Sequence, residues 1–272
     1  MPDKTPVVFI HGMWIHSSSW GEWIDLFARA GYAPVAPGWP GESDTVGMTR
    51  LLAAELAGSG LVDITDHYAR IIQTLPRPPI VIGHSFGGLV AQKLLADGLV
   101  AAAVAIDPAP IKGTTKLPLN QILSVLPVLA KKSNETGVVS LTARQFKFAF
   151  GNKLTRAESR KLYRHWSIPA GGKPVFEVAA AKKDPESPTA VDTAMKGRGP
   201  LLITGGEFDH TIPEAVTREA FDLYPRKPAV TEYKRFLDRG HSLTIDSGWF
   251  EVADYSLRWL AKHALAPADT AR

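Results

Sequence analysis

The sequence predicts an α/β fold, in which a mostly parallel sheet of about six strands is flanked by helices and carries one helical insertion. Two observations predict it: short apolar runs alternate with longer amphipathic stretches, and a long segment without a strand pattern interrupts this alternation once. The predicted strands are 6–10, 33–36, 79–83, 101–106, 200–204 and 230–236. Between them, apolar residues recur at helical spacing over 20–30, 48–56, 61–75, 87–95, 214–223 and 248–263.

The interrupting segment, residues 108–198, contains no clear buried strand and four helix candidates, at 119–132, 140–150, 155–166 and 175–182. It is far longer than a connecting loop, which usually has about 4–6 residues. We therefore expect a helical cap or lid inserted into a core that consists of residues 1–107 and 199–263. Residues 264–272 are expected to form a flexible tail.

The composition is that of one large folded domain. The chain has 272 residues, of which 45% are hydrophobic and 21% charged. The absence of cysteine excludes disulfides, thiolate metal sites and a cysteine nucleophile. The longest apolar run, 98–106, is half or less of the roughly 18 residues that suggest a membrane span, and no leader-like segment precedes the first strand. We expect a cytoplasmic protein without membrane insertion.

Positive charge is concentrated in the predicted insertion. Residues 111–198 hold 16 Lys and Arg against 6 Asp and Glu, whereas the rest of the chain holds 15 against 21. Such a surface steers anionic substrates, contacts an anionic lipid surface, or is simply a solvated face. No nucleic-acid-binding module accompanies it, so we expect no nucleic-acid partner.

A nucleophile elbow is indicated at the end of the third predicted strand. The sequence Gly83-His84-Ser85-Phe86-Gly87 has the spacing G-x-S-x-G and stands between a strand and a helix. In this context the serine occupies a tight, strained turn that exposes its hydroxyl, and the small residues allow the strand and the helix to approach closely. The amide of Phe86, at the helix N-terminus, has no intrahelical partner and is a candidate oxyanion donor.

A serine nucleophile requires a base and an acid, and both are present in loops that follow predicted strands. Asp209 follows the strand 200–204, and His241 follows the strand 230–236. The order Ser85, Asp209, His241 is the order of a triad built on such an elbow. Asp107, at the end of the strand 101–106, is the alternative acid.

The other histidines have simpler interpretations. We interpret His11 as a loop-shaping residue and His84 as a packed neighbour of the elbow. His210 is interpreted as an exposed loop residue, and His16, His67, His165 and His263 as surface or core polar groups. No metal-binding or nucleotide-binding signature is present, so neither a metal nor a cofactor is expected.

With these motifs, the chain resembles the α/β-hydrolase superfamily from residue 7 to about residue 260. The resemblance includes His11-Gly12, Trp20 downstream of it, and the segment 38–44, which is similar to the P-G-x-G-x-S loop but has Glu42 where glycine is usual. It implies that the amide of Met13 is the second oxyanion donor. The short N-terminus most resembles the methylesterase and hydroxynitrile-lyase branch and its uncharacterised bacterial relatives.

The resemblance and the motifs together predict a serine hydrolase that cleaves a carboxylic ester of a small to medium hydrophobic substrate through an acyl-enzyme. A lyase, lactonase, thioesterase or perhydrolase using the same triad, or a non-catalytic small-molecule receptor, remains an alternative. Trp14, Phe146 and Trp166 are the candidate pocket residues, since lids over such sites supply an apolar wall. The sequence leaves the oligomeric state open.

Overall fold

The computed structural model describes residues 4–267 and has a six-stranded parallel sheet at its centre. The strands of this sheet are β1 (Pro6–Ile10), β2 (Ala33–Val35), β3 (Ile80–His84), β4 (Ala102–Ile106), β7 (Leu201–Gly206) and β8 (Thr231–Phe236). Two short strands, β5 (Val138–Val139) and β6 (Ala170–Gly171), form a separate pair. The spatial order of the large sheet is β2-β1-β3-β4-β7-β8, and each neighbouring pair is parallel. The predicted fold class is therefore confirmed.

Helices cover both faces of this sheet. They are α1 (Gly21–Arg29), α2 (Val46–Leu51), α3 (Leu61–Gln73), α4 (Phe86–Ala96), α5 (Leu119–Leu129), α6 (Ala143–Ala149), α7 (Arg156–Trp166), α8 (Lys173–Ala180), α9 (Glu214–Asp222) and α10 (Trp249–Lys262). Strand β1 is buried on both sides: Val7 and Phe9 face α1 and α10, whereas Val8 and Ile10 face α3 and α4. Its continuous apolar run is typical of a strand inside a parallel sheet.

The crossover from β4 to β7 carries α5 to α8. It also contains the short antiparallel pair β5–β6, which the sequence pattern did not predict because strands of two residues leave no apolar run. The crossover contacts loops that follow the strands: the Ile168 amide donates to the Trp14 carbonyl at 3.0 Å, and the Thr211 hydroxyl donates to the Ala149 carbonyl at 2.9 Å. It therefore covers the edge at which the carboxyl ends of the parallel strands meet.

Apart from shifts of a few residues at the ends of elements, two predictions differ from the structure. The helix predicted at 48–56 is divided into α2 and a 3-10 turn, Ala53–Leu56, because Leu52 leaves the helical conformation with φ −99° and ψ 31°. The segment predicted as a flexible tail begins at residue 264, yet the Leu265 carbonyl in it accepts a hydrogen bond from the Tyr32 hydroxyl at 3.2 Å. The rest of that prediction, for residues 268–272, lies outside the described residues. No helix in residues 4–267 has the length and apolar character needed to cross a membrane.

Candidate active site

Ser85 occupies the turn between β3 and α4 in a backbone conformation that side-chain-bearing residues rarely adopt. Its φ is 57° and its ψ is −120°. Such a conformation costs on the order of 1–3 kcal/mol and persists only where the surroundings hold it. Here the Ser85 amide donates to the Ile106 carbonyl, and the Ser85 carbonyl accepts from the Ala109 amide, both at 2.9 Å. The turn places the hydroxyl at the covered edge of the sheet.

The glycines of the elbow are required by close backbone contacts. A Cβ atom added at Gly83 would lie 2.0 Å from the carbonyl oxygen of Gly87, and one added at Gly87 would lie 2.2 Å from that of Ile10. Both distances are far below van der Waals contact. The G-x-S-x-G spacing therefore follows from the close approach of β1, β3 and α4.

Two amide groups close to Ser85 are free to bind an oxyanion. Within residues 4–267, neither the Met13 amide nor the Phe86 amide has a hydrogen-bond acceptor. Phe86 begins α4, where the helix dipole favours negative charge. Gly12 brings the other loop against the serine, because a Cβ atom at Gly12 would lie 2.7 Å from Ser85 Cβ and 3.3 Å from Ser85 Oγ.

His241 and Asp209 form a direct hydrogen bond. His241 Nδ1 lies 2.6 Å from Asp209 Oδ2, and both side chains are fully buried. The other carboxylate oxygen of Asp209 accepts from the Thr211 amide at 2.7 Å and from the Ile212 amide at 2.8 Å. Because Nδ1 donates to a carboxylate, the lone pair of the neutral imidazole is on Nε2.

The imidazole of His241 makes no hydrogen bond to Ser85. Its Nε2 atom is buried and makes no hydrogen bond. The ring is packed by His84 and Phe150, at centroid distances of 4.5 and 4.9 Å. Burial lowers the pKa of His241, because desolvation disfavours the imidazolium, and the pKa of His84 lies well below its usual range for the same reason. Both rings are therefore neutral near neutral pH.

Asp107, the alternative acid, lies next to Asp209 and is also fully buried. One of its oxygens accepts from the Thr204 hydroxyl at 3.1 Å, and the other accepts from the Gly206 amide at 3.0 Å. Burial, the charge of Asp209 and a hydrogen bond to Asp209 raise the pKa of Asp107 well above its usual range. Burial also raises the pKa of Asp209, to about 7, and Asp209 is the carboxyl group in contact with the imidazole.

In the described residues, Asp107, Asp209 and His241 are also the only cluster of side chains that could hold a metal ion. Ligand atoms of Asp107, Asp209 and His241 lie within 4.8 Å of one another. The 2.6 Å separation of His241 Nδ1 and Asp209 Oδ2 is a hydrogen bond, with no space for an ion between the two atoms. The arrangement fits a proton-transfer chain better than a metal site.

A mostly apolar cavity opens beside Ser85, with about 510 Å³ of space including its mouth. It is lined by residues of the loops and of the insertion: Met13, Trp14, Ser85, Phe86, Val125, Leu129, Phe150, Val175, Val178, Ala179, Thr211 and Ile212. Trp14 is held in this wall by a hydrogen bond of 3.0 Å from its indole N–H to the Val139 carbonyl. Such a cavity suits a small to medium apolar group.

Two predicted pocket residues lie outside this lining. Phe146 is fully buried and stacks on Phe150, with 4.9 Å between ring centroids, so it supports the wall from behind. The Trp166 carbonyl accepts from the His16 amide at 3.0 Å, at the end of α7. Val125 and Val175 were not predicted as pocket residues, because their only signal in the sequence is the helical spacing of the insertion.

A buried cluster of Glu42 and two histidines supports the loop that carries Gly12 and Met13. Glu42 Oε2 lies 3.0 Å from His11 Nε2, Glu42 Oε1 lies 3.5 Å from His16 Nε2, and Oε1 also accepts from the Ser17 amide at 2.9 Å. Burial acts to raise the pKa of Glu42, but His11, His16 and Ser17 together lower it to about 2. His16 is thus a core residue, and the unusual Glu42 has a structural partner in each histidine.

Comparison with known proteins agrees with this architecture. Residues 7–255 match the family model of the alpha/beta hydrolase family. A monoacylglycerol lipase from Paleococcus ferrophilus is 22% identical, with 97% of this chain and 96% of that chain covered and a TM-score of 0.66. An extracellular alpha/beta-hydrolase from a Paenibacillus species is 18% identical, with 97% of this chain and 100% of that chain covered and a TM-score of 0.66. A methylesterase from Arabidopsis is 13% identical, with 95% of this chain and 99% of that chain covered and a TM-score of 0.63. The chain has no significant match among curated proteins.

Proposed function

Because the chain belongs to the alpha/beta hydrolase family, we propose that it is a serine hydrolase that cleaves a carboxylic ester through an acyl-enzyme. The observation that carries the proposal is the buried Asp209–His241 pair, which lies beside a strained serine at the wall of an apolar cavity. Similar structures include a lipase, a pyrethroid hydrolase and a methylesterase, and the hydrolytic activity in their names supports the proposal.

In the proposed acylation step, Ser85 Oγ attacks the ester carbonyl carbon. His241 Nε2 takes the hydroxyl proton, and the carbonyl oxygen becomes an oxyanion that the Met13 and Phe86 amides bind. The tetrahedral intermediate collapses when the bond to the leaving alkoxide breaks and His241 gives its proton to that oxygen. The products are an alcohol and an acyl-Ser85 ester.

In the proposed deacylation step, water replaces the alcohol. His241 Nε2 takes a proton from the water, whose oxygen attacks the acyl carbon, and the proton then passes to Ser85 Oγ as the carboxylic acid leaves. Asp209 holds the ring with Nε2 towards the serine and stabilises the imidazolium in both steps. Formation of the Ser85–His241 hydrogen bond requires a small rearrangement of these side chains when substrate binds, as is common for sites without ligand.

The residues 108–198 are proposed to act as a lid that selects a small to medium hydrophobic substrate. Val125 and Leu129 of α5 and Val175 and Val178 of α8 supply one wall of the cavity, so the acyl or aryl group contacts the insertion. No charged side chain lines the cavity within the described residues. An uncharged apolar group is therefore favoured next to the ester.

The proposal is tested with a panel of p-nitrophenyl esters of increasing acyl length, on the wild-type chain and on Ser85→Ala. We expect hydrolysis of short and medium esters and a loss of about a thousandfold or more in kcat/KM for Ser85→Ala. The matched control is Ser256→Ala, which removes a comparably buried hydroxyl from α10 that does not line the cavity. Retention of more than about a tenth of the activity in Ser85→Ala would contradict the mechanism.

A further inference from the structure

Helix α5 exposes an apolar face to solvent. Of the fourteen large hydrophobic side chains that are exposed in the described residues, five lie within ten residues at this helix: Leu117 (65% exposed), Leu119 (68%), Ile122 (37%), Leu123 (42%) and Leu126 (48%). The last four have the spacing of a single helix face. A continuous apolar patch of this kind on a monomer marks an interaction surface.

The buried side of α5 carries two polar residues beside the apolar Val128. Gln121 is 5% exposed and Ser124 is 2% exposed, and the Ser124 hydroxyl donates to the carbonyl oxygens of Asn120 and His210 at 2.9 and 3.1 Å. The buried side thus mixes polar and apolar side chains, whereas an ordinary surface helix buries its apolar face and exposes its polar face. The side-chain bond to His210 fixes this rotation of the helix, so the exposure of the leucines is built into the packing.

Lysines stand at both ends of the apolar face. Lys116 precedes the first leucine, and Lys131 and Lys132 follow the helix; all three are exposed, and none forms an ion pair within residues 4–267. Two acidic residues lie near them. The carboxylate of Glu219 accepts from the Thr115 hydroxyl and from the amides of residues 115 and 116, and Glu135 is half-buried. The rim of the face is therefore positively charged overall.

We propose that this face, formed by Leu117, Leu119, Ile122, Leu123, Leu126 and the flanking Lys116, Lys131 and Lys132, docks the protein on an anionic lipid surface. The leucines enter the boundary between headgroups and acyl chains, and the lysines contact the anionic headgroups. This goes beyond the proposed esterase activity and does not depend on it.

Charge favours lipid over a second copy of the chain. A symmetric contact between two copies of this face would bring like-charged lysine rims together, which is repulsive. An anionic membrane neutralises the same rim. In addition, the face belongs to the helix whose Val125 and Leu129 line the cavity beside Ser85, so docking places the cavity next to the lipid.

The test measures co-sedimentation of the full-length protein with vesicles of phosphatidylcholine, alone or mixed equally with phosphatidylglycerol. We expect binding to the mixed vesicles only. Leu119→Ser combined with Leu123→Ser should weaken it by about tenfold or more, because two apolar side chains no longer enter the lipid. Lys131→Gln combined with Lys132→Gln should weaken it by about twenty-fivefold, from about fivefold per lysine removed. The lysine pair alters no packed side chain, so a change in folding does not explain its effect.

The matched control combines Val62→Ser with Phe250→Ser, two comparably exposed side chains on α3 and α10 (51% and 54% exposed), and should bind like the wild type. No binding to mixed vesicles, or equal weakening by the control and by the α5 variants, would overturn the proposal. A self-association that the leucine variant abolishes, without vesicle binding, would assign the face to contacts between copies instead. Hydrolysis of soluble p-nitrophenyl acetate is measured in parallel; its absence would contradict the esterase proposal alone.

Discussion

Replacing Gly12 with alanine should disrupt the proposed oxyanion-binding loop with little effect on the rest of the fold. The added Cβ atom would lie 2.7 Å from Ser85 Cβ and 3.1 Å from the His84 carbonyl oxygen. Carbon atoms in contact are about 3.5–4.0 Å apart, so the two carbons must separate by about 1 Å. The elbow is held inside the central sheet by hydrogen bonds from both sides, so most of the movement falls on Gly12 and Met13.

A displacement of this size is sufficient to affect catalysis strongly. Misplacement of a reacting group by about 1 Å costs roughly a hundredfold in rate, and removal of one oxyanion donor costs about a hundred- to a thousandfold. We therefore expect kcat/KM of Gly12→Ala to fall by about two orders of magnitude. Overpacking of the loop should cost about 1–3 kcal/mol in the free energy of unfolding, which leaves the protein folded at room temperature.

The assay is hydrolysis of p-nitrophenyl acetate, combined with urea unfolding of the same preparations. Gly47→Ala is the matched control, because a Cβ atom there has no heavy atom within 4 Å. This control should keep wild-type kcat/KM and equal or slightly exceed the wild type in stability. If Gly12→Ala retained more than about a third of the wild-type kcat/KM while folded, the role assigned to the Met13 amide would be refuted.

Three further predictions concern the charged groups around the site. Asp209→Asn should lower kcat by about three to four orders of magnitude, because the His241 ring loses the carboxylate that fixes its tautomer. Asp107→Asn should lower kcat much less. If Asp107→Asn lowered kcat more than Asp209→Asn, the acid role would pass to Asp107. Burial lowers the pKa of His241 and raises the pKa of Asp209 to about 7, so kcat/KM should rise with pH through a midpoint no higher than about 7 and then stay level. A midpoint clearly above that value would contradict this environment. Glu42→Ala leaves two buried histidines without their carboxylate and should lower the free energy of unfolding by about 3–5 kcal/mol, as measured by urea unfolding. A decrease below about 1 kcal/mol would show that the cluster does not stabilise the loop.

The sequence was sufficient to predict the strands of the sheet and the loops that carry the proposed catalytic residues. Apolar runs such as β1 and β3 identify buried parallel strands, and the G-x-S-x-G turn depends on backbone contacts that only small residues permit. Asp209 and His241 were predicted because each follows a strand, and the carboxyl ends of parallel strands meet at one edge. All of these signals are local in the sequence.

The remaining features depend on contacts between distant segments. The helical spacing of α5 is the same whether its apolar face is buried or exposed, so only the packing of Ser124 under the loop of His210 reveals that the leucines face solvent. The Glu42 cluster joins side chains that are about thirty residues apart, and its histidines have no distinguishing pattern. The separation of Phe146 from the cavity likewise depends on its stacking against Phe150.

The central claim is that Ser85 is a nucleophile activated by His241, and covalent trapping tests it most directly. The wild-type chain is incubated with a fluorophosphonate probe, and the mass of the intact protein and of its peptides is measured. We expect one adduct per chain, located on Ser85, with no adduct on Ser85→Ala and much slower labelling of His241→Ala. Absence of an adduct on the folded wild-type protein, or an adduct on a different serine, would contradict this claim.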